Sequence, residues 1–153
     1  MKIILGIFLF LTCILLGYIL SLKFTKKRQF YSRFLEFNSN IKNEISFSQS
    51  TLMKIVDGLN VKSDFNECVE RYFKQKTFIF DKNYLNKDEI DYFKAYLSKL
   101  GSSDKFTQLS FLDETGLKIN KDLLIATENE RKYKKLYIKL GFLLGLIALI
   151  ICL

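Results

Sequence analysis

The chain has 153 residues, 49% hydrophobic and 26% charged, with no proline, tryptophan or histidine and only seven glycines. That length accommodates one domain. Missing proline and scarce glycine disfavour a turn-rich sandwich or barrel, and the lack of histidine removes the commonest general base and metal ligand. The net charge of +8 is not spread over a face. All 16 acidic residues lie from Glu36 to Glu130, where they outnumber the basic ones. Apart from Lys2, the excess cations form two clusters: Lys23, Lys26, Lys27, Arg28 and Arg33, then Arg131, Lys132, Lys134, Lys135 and Lys139. Each borders an apolar run, the pattern of a membrane-flanking collar rather than a nucleic-acid surface.

In chain order, Ile3 to Leu22 is uncharged and, at about 20 residues, long enough to cross the hydrocarbon core of a bilayer. A cleaved signal peptide competes with an uncleaved anchor. The run exceeds a usual signal core, and no A-x-A-like site follows it. Phe10-Leu11-Thr12-Cys13 is a poor match to a lipoprotein box, because Thr precedes the cysteine. Length favours the anchor.

The next segment places Phe30, Phe34, Phe37, Ile41 and Ile45 on one helical face, and the serines of 46–50 end it. Ser50 or Thr51 can cap a short helix with Leu52, Ile55, Val56 and Leu59 inward and Gly58 near its end. Ser63 or Asp64 starts another, burying Phe65, Val69, Tyr72 and Phe73. Thr77-Phe78-Ile79-Phe80 is too short and isolated for a strand and reads as a connector. Asn86 and Glu89 have the spacing of a capping box. The helix behind them presents Ile90, Phe93, Leu97 and Leu100, and Gly101 stops it.

After Gly101, Ser103 or Asp104 can cap a last helix. Its apolar or small positions fall at Leu109, Leu112, Gly116, Ile119, Leu123, Ala126, Tyr133, Tyr137 and Leu140, with Glu130 as the one charged interruption. The spacing predicts a single helix of about fifty residues. Its uncharged end, from Leu140 to Leu153, is a second, short anchor of about 21 Å. It gains reach if Lys139 snorkels and Tyr133 and Tyr137 sit at the interface, or the bilayer thins locally around it.

The expected fold is therefore all-α: a membrane-anchored helical bundle with N- and C-terminal transmembrane helices, and short helices between two long outer ones. Residues 1–22 form the first anchor, 23–139 the helical domain and 140–153 the second anchor. Both collars lie on the inner side of their anchors, so the positive-inside rule puts 23–139 in the cytoplasm.

Few motifs bear chemistry. Gly141 and Gly145, four apart, let a partner helix approach closely, and Gly17 with Ser21 offers a matching small face on the first anchor. Asp88, Glu89 and Asp91 resemble a metal cluster, but a helix's first turn favours acids through its dipole. Gly101, Ser103, Asp104 and Gln108 form a polar helix corner. Cys13, Cys68 and Cys152 show no paired spacing for a disulfide or zinc. Phosphate loops, nucleophile elbows and Cys-x-x-Cys pairs are missing. No catalytic, cofactor or metal site is expected. Charges on the outer helices remain as partner contacts: Arg33, Glu36 and Glu44 on one, Glu128, Glu130 and Arg131 on the other.

Together, Leu100, Gly101, Ser103, Asp104 and Gln108 at the corner, Glu44-Ile45 in the first helix, and Tyr137, Leu140, Gly141 and Gly145 near the end give a layout that resembles the stage III sporulation protein AB family. Members often carry Pro near the second helix start, where this chain has Thr51. The resemblance implies a protein of the mother-cell membrane surrounding the forespore, part of a sporulation channel or secretion-like complex. It implies a helical domain similar to type II secretion inner-membrane platform proteins. Its expected partners are a secretion-type ATPase, other membrane proteins of that complex and the lipid bilayer, with homo-oligomers possible and nucleic acid excluded. A membrane-bound signalling adaptor or regulator is the rival reading, and a membrane enzyme ranks third.

Overall fold

Five helices make up the computed structural model, which describes residues 2–47, 52–58, 63–80 and 82–152: α1 Lys2–Phe47, α2 Leu52–Asp57, α3 Asp64–Gln75, α4 Lys87–Lys99 and α5 Lys105–Cys152. The described residues contain no strand, and Thr77–Phe80 is an irregular connector. The Ser50 or Thr51 cap and the inward position of Leu59 lie outside the described residues, as do the side chains of Leu52 and Cys152.

Local chemistry sets the ends of the shorter helices. Ser63 is the N-cap of α3, its Oγ accepting from Asn66 N at 3.2 Å. Lys76, in the left-handed conformation at φ 55°, ends that helix. Asn86 and Glu89 form a full capping box: Glu89 N donates to Asn86 Oδ1 at 2.8 Å, and Asn86 N donates to Glu89 Oε2 at 2.9 Å. Such caps satisfy amides that no helical carbonyl can reach. α4 gives way to Gly101 at φ 74°, a conformation glycine adopts without steric cost.

The structure divides into two compact units, Met1–Arg28 with Ile125–Leu153, and Gln29–Leu124. We call them the terminal and central units. The core of the central unit is aromatic. Phe34 of α1 lies 5.1 Å from the Phe93 ring, 4.7 Å from Tyr96 and 5.6 Å from Phe65, and Phe65 and Phe93 are 5.1 Å apart. Phe30 adds edge-on contacts to Phe65 and Phe93. α1, α3 and α4 thus share one cluster, in which each buried ring contributes about 1.5–3 kcal/mol from area alone and its edge-to-face contacts a little more.

Sequence periodicity locates much of this core, with specific differences. Phe65, Val69, Phe93, Leu97 and Leu100 are buried as expected, whereas Tyr72, Phe73 and Ile90 are half-buried. Asn66, Cys68 and Tyr96 occupy the inner faces of α3 and α4 as well. Burial pushes the Cys68 thiol up to about 12, so it stays protonated at neutral pH. α5 buries Gln108, Leu112, Thr115 and Ile119 in this unit.

Among the described residues one helix, α1, is long and apolar enough to cross a membrane. Only 11% of its most apolar window is buried, and Ile7, Phe8, Leu11, Leu15, Leu16 and Ile19 are exposed. Such an uncovered apolar surface is costly in water and suits lipid.

Candidate functional site

The terminal unit is assembled from small residues at one end and polar ones at the other. On α1 the inward series is Gly6, Phe10, Cys13, Gly17, Ser21, Phe24, Thr25 and Arg28; on α5 it includes Ala126, Glu130, Tyr133, Tyr137, Gly141 and Gly145. A methyl group on Gly17 would lie 2.7 Å from the Tyr137 carbonyl oxygen, and one on Gly141 would lie 2.8 Å from that of Cys13. The two helices therefore meet backbone to backbone at Gly17 and Gly141. A methyl on Gly145 would meet the edge of the Phe10 ring at 2.7 Å and the Phe10 carbonyl oxygen at 3.2 Å, and that ring packs edge-on against Phe142 at 5.7 Å. Ser21 is fully buried, and its hydroxyl donates to Tyr18 O at 2.7 Å, so no polar group is stranded.

The α5 stripe differs from the expected one at Leu140, which is 44% exposed, while Gly141 is buried. A straight helix turns about 100° per residue, so a strict three-and-four series drifts and the inward position moves on by one.

Glu130, expected as an exposed contact charge, is instead internal to this unit. Its side chain is only 15% exposed. Thr25 Oγ1 donates to it at 2.8 Å, Arg28 Nε donates to its other oxygen, and Lys134 Nζ stands 3.9 Å away. Burial alone would raise its carboxyl, but the bonds from Thr25 and Arg28, with the charges of Arg28 and Lys134, outweigh that and hold it below the ordinary value. The interruption in the apolar series is thus a polar latch on the same face. Beside it, Phe24 stacks on Tyr133 at 5.0 Å and lies 5.9 Å from Tyr137.

In the central unit a single amide joins three helices. Asn38 Nδ2 donates to Leu112 O at 2.9 Å, and Tyr96 OH donates to Asn38 Oδ1 at 3.1 Å. Asn38 and Tyr96 are both buried. A methyl on Gly116 would come within 3.0 Å of Asn38 Nδ2, so that glycine leaves room for the amide.

The helix corner uses each of its predicted residues. Asp104 caps α5: both carboxylate oxygens face Thr107 N at 3.3 and 3.4 Å, and one accepts from Thr107 Oγ1 at 3.0 Å. Gln108 Oε1 accepts from Gly101 N at 3.1 Å and from Ser103 Oγ at 3.2 Å. Its Nε2 is buried and has no partner among the described residues. In the acidic group at the start of α4, Glu89 already serves the capping box and accepts from Tyr31 OH at 2.9 Å. Burial first, and Glu89 second, drive the Tyr31 hydroxyl far above its ordinary value.

The other charged candidates are dispersed. Arg33 and Glu36 pair with one another at 2.9 Å on the exposed side of α1, and Glu44 is half-buried in the central unit. Glu128 and Arg131 are exposed in the terminal unit. Thr25, Asn38 and Tyr96 were not singled out from sequence. Thr25 alone carried a signal, being one turn beyond Ser21 on the face that Gly17 begins.

A family model described as Stage III sporulation protein AB matches residues 58–153. That span includes the helix corner, Gly141 and Gly145, and leaves out α1 with Gly17, Ser21 and Glu44-Ile45. No curated protein and no solved structure matches the chain.

Proposed function

The chain belongs to the stage III sporulation protein AB family and its role is in sporulation; from that premise we propose that it is a non-enzymatic platform subunit of a sporulation channel or secretion-like complex. In this reading the first part of α1, up to Leu22, and the uncharged end of α5 both lie in the bilayer, in the mother-cell membrane surrounding the forespore. Residues 23–139 face the cytoplasm, as the two cationic collars favour. The central unit then offers its surface to a secretion-type ATPase.

The observation that carries the reading is the backbone-to-backbone approach at Gly17 and Gly141. Helices in lipid gain nothing from hydrophobic burial and associate through small residues that bring backbones close. The short second anchor thereby gains a partner in α1 at Gly141 and Gly145. A non-catalytic role is supported by the lack of histidine. It is supported too by the use of Asn38, Tyr96, Ser21 and Glu130 in structural hydrogen bonds.

The test is affinity purification of the full-length chain, in mild detergent, from sporulating cells. Recovery of a secretion-type ATPase with other membrane proteins is expected. Recovery of a transcription factor or protease instead would favour the adaptor reading and overturn the platform, and recovery of neither ATPase nor channel component would also overturn it.

A further inference from the structure

The α5 collar of the terminal unit borders an open cleft of about 620 Å³, within the size range of small-molecule sites. Arg28, Glu130, Arg131, Lys134, Lys135 and Ile138 are among its walls. Four cations thus face one carboxylate, and that carboxylate is already committed to Arg28 and Thr25. Lys134 keeps only a 3.9 Å contact with it, and Arg131 and Lys135 have no acidic partner among the described residues. Positive charge is therefore concentrated in the cleft without being neutralised there.

A second hollow of about 420 Å³ shares Ile138 with the first, and its walls continue along α5 through Lys139, Phe142 and Leu143. It presents only apolar surface, the lysine contributing its methylene stem. Residues 131, 134, 135, 138 and 142 recur at helical spacing, so the two hollows follow one face of α5. An open cationic cleft leads directly into a hydrocarbon trough.

We propose that this paired cleft binds an anionic phospholipid, its phosphate among Arg131, Lys134 and Lys135 and one acyl chain along Ile138, Phe142 and Leu143. Arg131 supplies the planar fork suited to phosphate oxygens, and the lysines supply point charges. Basic pockets at the cytoplasmic ends of membrane helices take anionic headgroups by this chemistry. The apolar trough selects a lipid over a free phosphate, which would leave it uncovered. The inference rests on the proposed placement of the end of α5 in the bilayer.

The test titrates the full-length chain, in mild detergent, with phosphatidylglycerol, phosphatidylcholine or inorganic phosphate, reading bound lipid by native mass spectrometry. Phosphatidylglycerol should bind at least tenfold more tightly than phosphatidylcholine, and millimolar phosphate should not displace it. K134Q/K135Q should weaken that binding at least tenfold, each cation being worth about fivefold, while the charge-matched K26Q/K132Q changes it less than about twofold. R131Q is a milder second variant, expected to weaken binding about fivefold. Equal losses in both double variants, equal binding of the two lipids, or displacement by phosphate would overturn the site. Insertion is read separately, from protection of a cysteine placed at Leu146 against an impermeant thiol reagent. Protection with unselective lipid binding defeats only the cleft, whereas labelling defeats the membrane placement itself.

Discussion

Gly141→Leu probes the helix contact on which the terminal unit depends. A first methyl at this position meets Cys13 O at 2.8 Å, Gly17 Cα at 3.4 Å and Ile14 Cα at 3.5 Å. These are backbone atoms, so no rotamer change relieves the contact. Ordinary contact begins near 3.4 Å, so the helices must part by about 0.6 Å before the methyl alone fits. Overpacking of this kind costs about 1–3 kcal/mol, and a whole isobutyl group lies at the upper end. Leucine's better helix propensity returns about 0.8 kcal/mol, leaving a net loss of about 2 kcal/mol. At about 2–4 °C per kcal/mol for a chain of this size, the midpoint should fall by about 4–8 °C. Near-ultraviolet circular dichroism of the full-length chain in detergent measures it, with the Phe24–Tyr133 stack as a local reporter. Gly145→Ala should lose less, because its shortest contact is with the Phe10 ring edge, which can swing away, and the Phe10 carbonyl oxygen stands farther off at 3.2 Å. Gly58→Ala, with no atom of the described residues nearer than 3.5 Å, should stay within about 0.5 kcal/mol of the parent. Unchanged melting of Gly141→Leu, with the stacking signal intact, would refute the close contact.

Three further outcomes follow from the packing and electrostatics. Phe93→Ala removes a fully buried ring that touches Phe30, Phe34 and Phe65; thermal melting should show a loss of about 3–5 kcal/mol. Asn38→Leu keeps the branched shape but strands the Tyr96 hydroxyl, costing about 1–3 kcal/mol, and adding Tyr96→Phe should recover part of that loss in a double-mutant melt. Because the folded Glu130 carboxyl titrates below its ordinary value, its stabilising contribution is complete above the usual glutamate pKa of about 4.3 and disappears as pH falls through the folded value. The gap in melting temperature between the parent and Glu130→Gln should therefore be widest near neutrality and close on acidification; a gap that widens in acid would contradict the latch.

Much of the helical fold was legible because its signals are local. The Asn86–Glu89 capping box, the left-handed Gly101 and the Asp104 cap depend on residues within a few positions of one another, and the structure realises each. Apolar periodicity likewise placed Phe30, Phe34 and Phe37 on the inner face of α1. Long-range polar pairing was not legible. Asn38 lies 74 positions from the carbonyl it meets and 58 from Tyr96, and an amide next to Phe37 reads as a solvated residue until its partners are in place. Glu130 misled for a related reason: an acid in an apolar series looks like a break, yet Thr25 and Arg28, more than a hundred residues earlier, make it part of the buried face. The one-residue slip from Leu140 to Gly141 reflects drift accumulated along a helix of 48 residues.

Thiol accessibility tests the central claim, a subunit held in the bilayer by both the start of α1 and the end of α5 with the intervening residues in the cytoplasm. The full-length chain is made without its native cysteines, in non-sporulating cells, so that the far face of the membrane meets the medium. A single cysteine replacing Asn86 should resist an impermeant reagent until the cells are lysed, while one appended after Leu153 should react in intact cells. Labelling at position 86 with protection after Leu153 would contradict the account.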